Sequence, residues 1–235
     1  MRIFSMLLLG VTLSLFSCQK EVNEELPTTP GGTGGTGGTG GSGGSGNTNP
    51  ANSYHPLTAG STWTYKDSTT GTLNTIVSTG KTKVIDGRTY TIVTDPQVSD
   101  SAYMSNTGAN YYLLGEGTTP NLGASFKIVF HYLNDTAAVG TTWRYNAGHG
   151  NGVTAYITPT VMARNLTLNI EGRTYTNVVH TRLKWEYEFG GMTLEMANYD
   201  YFTAKGVGIV RVRSFLDAMG TKLETCSNLV DHTIK

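Results

Sequence analysis

Cysteine is almost missing from this sequence: Cys18 and Cys226 are its two representatives in 235 residues. That count excludes a disulfide-stapled fold and a cysteine-built metal centre. Surplus charge of either sign is missing as well, because 17 Lys and Arg residues meet 17 Asp and Glu. A nucleic-acid partner, which needs a basic face, is therefore not expected. Past Phe16 there is no long apolar run, and no segment carries a sustained helical stripe. Thr, Ser, Asn, Gly and Tyr fill the space instead, and charged residues are only 14% of the chain. Such a composition suits β-structure outside the cytoplasm better than a helical cytosolic enzyme.

The N-terminus reads as an address. Met1 and Arg2 are followed by the apolar run Ile3 to Phe16, too short to span a bilayer and therefore a signal segment. Leu15-Phe16-Ser17-Cys18 resembles the lipobox of bacterial lipoproteins, which implies a signal peptide over residues 1–17, cleavage before Cys18 and acylation of its sulfur. Several acyl chains anchor stably where one would be marginal, so the membrane becomes a partner through the lipid. Gln19 stands where an inner-membrane retention aspartate would, which points to the outer membrane. Cys18-Gln19-Lys20-Glu21, with Glu24 and Glu25, resembles the surface-export signal of Bacteroidota lipoproteins. Exposure at the cell surface is the expectation, with a periplasm-facing position as the alternative. With Cys18 acylated, Cys226 has no partner in the chain and reads as a small buried hydrophobe.

Residues 18–50 make a tether. Pro27 to Pro50 is dominated by Gly-Gly-Thr and Gly-Gly-Ser, which have nothing to bury and behave as a flexible coil spanning roughly 30 Å. Gly40-Gly41-Ser42-Gly43-Gly44 matches a hydrolase elbow only as a string, since no strand and helix flank it. Residues 51–235 remain, enough for a single β-rich domain.

That body is duplicated. Gly60-Ser61-Thr62-Trp63-Thr64-Tyr65 returns as Gly140-Thr141-Thr142-Trp143-Arg144-Tyr145, and Asp86-Gly87-Arg88-Thr89-Tyr90 returns as Glu171-Gly172-Arg173-Thr174-Tyr175. Order is kept at offsets of 80 and 85 residues, so each half is expected to supply several strands of one pseudo-symmetric unit. Trp63 and Trp143 are then expected in equivalent buried sites. Asp86-Gly87 and Glu171-Gly172 read as tight hairpin turns between β-prone runs. Phe126, Ile128, Phe130 and Tyr132 alternate with polar or smaller residues as in a half-buried strand. A long hairpin runs from Val179 to Phe202 around Gly190-Gly191, with Leu183, Trp185, Tyr187 and Phe189 on one face. A two-residue loop there would pair Trp185 with Met196 and Tyr187 with Leu194 on the core side.

Pro56-Leu57 through Trp63-Thr64-Tyr65, together with Tyr201-Phe202-Thr203-Ala204-Lys205-Gly206-Val207-Gly208-Ile209-Val210, resemble a group of uncharacterised Bacteroidota lipoproteins. The resemblance implies an all-β, helix-poor fold: a curved antiparallel sheet or partial barrel of two pseudo-repeated halves, similar in general terms to lipoprotein carriers.

Chemistry is harder to find. His55, His131, His149, His180 and His232 lack the spacing that puts two ligands on one metal and read as surface or strand residues. His149 lies in Gly148-His149-Gly150-Asn151-Gly152, which reads as a flexible loop. No catalytic set, metal site or cofactor is expected. The one acidic patch is Glu186, Glu188 and Glu195 on the outer face of the long hairpin, where Glu186 and Glu195 would face each other about 5 Å apart. That spacing suits retaining glycoside hydrolysis, although a charged solvent face produces it equally well. Asp67-Ser68-Thr69, Asp100-Ser101-Ala102 and Asp135-Thr136-Ala137 resemble the Bacteroidota O-glycosylation sequon, with Ser68, Ser101 and Thr136 as acceptors in turns. The leading expectation is a monomeric, non-catalytic binding or structural module for a glycan or apolar ligand. The alternatives are a carrier of lipid or apolar ligands and a glycoside-processing enzyme.

Overall fold

The computed structural model describes residues 50–96, 101–118, 125–218 and 221–235. Cys18, the signal segment and the glycine-rich tether lie outside them. One turn of 3₁₀ helix, Pro50–Asn52, precedes twelve strands. These are β1 (Thr62–Asp67), β2 (Leu73–Ile85), β3 (Arg88–Thr94), β4 (Ser101–Thr107), β5 (Asn110–Thr118) and β6 (Ser125–Asn134) in the first half. The second half holds β7 (Tyr145–Gly150), β8 (Val153–Ile170), β9 (Arg173–Phe189), β10 (Met192–Ala204), β11 (Gly208–Ala218) and β12 (Thr221–Thr233).

All twelve form one antiparallel sheet in the order β6-β5-β4-β3-β2-β1-β12-β11-β10-β9-β8-β7. Apart from β6 and β7, strands consecutive in sequence pair with each other, and β1 pairs with β12, so the sheet curls into a nearly closed barrel whose break falls between β6 and β7. The two copies of the repeat map onto this order. Trp63 and Tyr65 lie on β1, while Tyr145 opens β7 and Trp143 stands two residues before it; the two acidic-glycine turns join β2 to β3 and β8 to β9. Asp86-Gly87, Asn151-Gly152, Glu171-Gly172 and Gly190-Gly191 all hold positive φ at both positions, the backbone a two-residue hairpin needs.

The interior is aromatic. Trp63, Tyr65, Tyr111, Tyr132, Trp185 and Tyr201 are buried in one cluster with aliphatic neighbours from both halves. A smaller cluster of Ile85, Tyr90, Tyr103 and Leu114 sits on the opposite face of β2–β5. Residues Ser53 to Leu57 pack over one mouth of the barrel, where Ser53 accepts from the Gly206 amide at 2.7 Å and Leu57 accepts from the Ser78 hydroxyl. His55 is carried inside with them and has no exposed surface, contrary to the reading of every histidine as a surface or strand residue. Its Nδ1 lies 2.7 Å from the Tyr132 hydroxyl, and burial pushes its pKa down to about 3.

Three further readings need correction. The long hairpin has its two-glycine loop and pairs Tyr187 with Leu194, but a bulge at Met196 places Ala197, not Met196, opposite Trp185. Its tip extends beyond the core, leaving Phe189, Met192 and Leu194 more than half exposed. The Gly148-His149-Gly150 stretch is strand rather than loop.

Candidate functional site

The break between β6 and β7 is where the molecule differs most from its own symmetry. At the matching junction β1 and β12 form a hydrogen-bonded ladder. At β6 and β7 there is contact without a ladder, and side chains stitch the edges together. The Tyr145 hydroxyl accepts from the His131 amide at 2.7 Å and donates to the Val129 carbonyl at 2.7 Å, taking the place of a partner strand. The Trp143 indole donates to His131 Nδ1 at 3.0 Å. An indole N–H has no acceptor role, so the His131 ring is neutral with its proton on Nε2. Farther along, Gly148 and Gly150 let the backbones close up: a Cβ on Gly148 would sit 2.0 Å from the Lys127 carbonyl oxygen, and one on Gly150 would sit 2.8 Å from Phe126 Cβ.

Val129 and His131 alternate along β6 with the interior residues Ile128, Phe130 and Tyr132 and so point outward. Trp143 and Tyr145 reach across to them, and the result is a cleft of about 410 Å³ open to solvent. Aromatic faces dominate it: Tyr90, Tyr112, His131, Trp143 and Tyr145. The Tyr112 and His131 rings are 4.5 Å apart between centroids, and His131 and Trp143 are 5.1 Å apart. Polar groups on the rim are Asp86, Arg88 and Asn146. The Arg88 guanidinium carbon lies 3.6 Å over the Tyr112 ring centroid, and the guanidinium donates to the Tyr90 hydroxyl at 3.3 Å. Burial lowers the pKa of His131 to about 4; its bond to the Leu133 backbone opposes the shift and the charge of Arg88 adds to it. Sequence reasoning missed this site. The available signal was the repeat itself, which carries its aromatics and its arginine in both halves.

One cavity inside the barrel, bordered by Tyr65, Tyr199, Tyr201 and Met104 among others, measures about 50 Å³. That holds a few water molecules and not an acyl chain.

The acidic patch does form: Glu186 pairs with Glu195 across β9 and β10. It is countered by cations. Lys184 Nζ lies 2.6 Å from Glu186 and 3.6 Å from Glu195, and Arg144 reaches Glu186 at 3.9 Å and Glu188 at 4.0 Å. On the same face Asp200 is almost fully buried between His180 and Arg182, each 2.8 Å away. Burial pushes the Asp200 carboxyl up, but the His180 and Arg182 hydrogen bonds outweigh it and hold the pKa at about 2. Among the described residues no group of three His, Cys, Asp or Glu side chains is placed to hold a metal ion.

Of the glycosylation candidates, Ser68 is exposed in the β1–β2 turn, where its hydroxyl donates to the Cys226 carbonyl at 2.7 Å. Thr136 is exposed in the turn after β6. Ser101 is not in a turn: it begins β4, half-buried and paired with Thr94. Cys226 is half-buried on β12.

No protein-family model and no curated protein matches the sequence. Two solved structures share the general shape. One, from Bacteroides fragilis and described as an exported protein with a YmcC-like fold, aligns at a TM-score of 0.43 with 10% identity over 76% of this chain and 98% of its own. The other, from Parabacteroides distasonis and described as a lipoprotein, aligns at 0.40 with 10% identity over 77% and 98%.

Proposed function

We propose that the chain is an envelope lipoprotein, anchored in the outer membrane through acylated Cys18, that binds a saccharide in the cleft between β6 and β7 and works without turning it over. The observation that carries this reading is the cleft of about 410 Å³ with Tyr112, Trp143 and Tyr145 along its walls and Asp86, Arg88 and Asn146 on its rim. Its volume falls within the roughly 300–1,000 Å³ common to small-ligand sites. Sugar rings offer C–H faces that pack on aromatic rings and hydroxyls that need polar partners, and this lining provides both. The interior cavity beside Tyr65 and Tyr201, at about 50 Å³, is too small for an acyl chain and gives a lipid carrier no support. Glutamates that spend their charge on Lys184 and Arg144 do not favour a hydrolase.

The test is a glycan panel applied to the detergent-solubilised full chain, with Trp143→Ala and Tyr112→Ala beside it. Saturable binding without product is expected, weakened about tenfold or more by Trp143→Ala, which removes a stacking face, and by Tyr112→Ala, which removes the ring under Arg88. Binding indifferent to both substitutions would reject the cleft. Turnover lost in Glu186→Gln and Glu195→Gln would replace the binding reading with an enzymatic one.

A further inference from the structure

We propose that the saccharide is acidic, and that a carboxylate on it pairs with Arg88. This rests on the seam cleft being the saccharide site. The repeat provides an internal comparison. Arg88 and Arg173 follow equivalent turns, with Asp86 and Glu171 at φ of 48° and 49° and the glycine after each at 78° and 80°. Arg173 has a carboxylate: its guanidinium donates to Asp231 on β12 at 2.8 Å. Arg88 has none among the described residues; its partners are the Tyr112 ring and the Tyr90 hydroxyl.

The reason lies in the strand that each arginine faces. His232 pairs with Trp63 on one side of the molecule and His131 bonds Trp143 on the other. The residue before each histidine is Asp231 in β12 and Phe130 in β6, and β6 has no Asp or Glu along its length. The first copy therefore keeps the cation and lacks the anion. Its guanidinium is also held in place, over the Tyr112 ring and bonded to Tyr90, with most of its five donors left over. A planar fork oriented at the edge of a cleft matches a carboxylate through two parallel bonds. Asp86 on the same rim carries like charge to such a ligand, so its part is to accept from hydroxyls. A uronate-bearing saccharide meets all these groups at once: carboxylate on Arg88, ring face on Trp143 or Tyr145, hydroxyls on Asp86 and Asn146.

The experiment measures binding of oligogalacturonate, oligomannuronate and oligoglucuronate to the detergent-solubilised full chain, each beside its carboxyl-reduced neutral form. At least one acidic ladder is expected to bind about tenfold or more tighter than its neutral form, the effect of one charge-assisted bidentate pair. Added salt should shrink that preference. Arg88→Gln should erase the preference, so that acidic and neutral forms bind that variant alike, and Arg173→Gln, at the equivalent hairpin, should leave it intact. Equal binding of acidic and neutral forms, or a preference that survives Arg88→Gln, overturns the acidic ligand and leaves the saccharide site standing. Binding of no saccharide at all overturns both. Competition by sodium sulfate as strong as by the uronates would reduce Arg88 to a simple anion site and overturn the proposal.

Discussion

Trp63 has no exposed surface, whereas Trp143 keeps a solvated side. The first lies under the β1–β12 ladder with its indole donating to the Val207 carbonyl at 2.7 Å, and the second lies across the open junction. Trp63→Ala should destabilise by about 3–5 kcal/mol, the range for a large core aromatic, and Trp143→Ala by only about 1–2 kcal/mol. Urea unfolding of both variants measures the difference, and equal losses would mean that the junction is sealed in solution. His131 adds a pH dependence of definite sign. Burial, the Leu133 backbone bond and Arg88 together set its folded pKa near 4, while an unfolded histidine titrates near 6.5. As pH falls from about 6.5 the unfolded chain takes up the proton first, so stability present above 6.5 is lost progressively toward pH 4. The melting temperature of wild type should drop more steeply over that interval than that of His131→Gln, with His55 common to both. Parallel curves would remove His131 from the junction's energetics.

For the strands, the consequence is an edge satisfied by a side chain. Tyr145 pairs the His131 amide and the Val129 carbonyl, groups that a neighbouring strand would otherwise occupy. Tyr145→Phe keeps the ring and removes the bridge, which should cost about 1–3 kcal/mol for two polar groups left wanting. Hydrogen exchange at the His131 amide is the direct readout: it should quicken in the variant, and unchanged protection would show that the hydroxyl contributes nothing to the edge. Local elements of this kind were unevenly legible. The acidic-glycine turns and the alternating β6 follow from backbone φ and side-chain period over a few residues, and both stand where sequence reasoning put them. The bulge at Met196 was not legible, because it answers to packing across β9 and β10. Gly148 and Gly150 were read as loop residues for want of a side chain to alternate, although their spacing by two marks one strand face pressed against β6.

Across the whole molecule, the chain enters the barrel at one mouth and the residues that plug it, Ser53 to Leu57, directly follow the tether. A lipid at Cys18 would therefore hold the barrel by that mouth. Cys18→Ser should abolish partitioning into the detergent phase and leave the signal segment uncleaved, without moving the melting temperature of the body. A mature N-terminus elsewhere than residue 18 would reject the anchor. Sequence alone determined the all-β class, the acidic-glycine turns and alternating strands such as β6, because each rests on alternation or backbone geometry within a short window. The tertiary structure decided which of two equivalent junctions becomes a ladder and which a cleft. β1 meets β12 from the far end of the chain, and no local pattern encodes that pairing. Arg88 is left without a carboxylate because folding sets β6 beside its cleft, with Val129 and His131 facing it and no acid along the strand, where Arg173 receives Asp231 from β12.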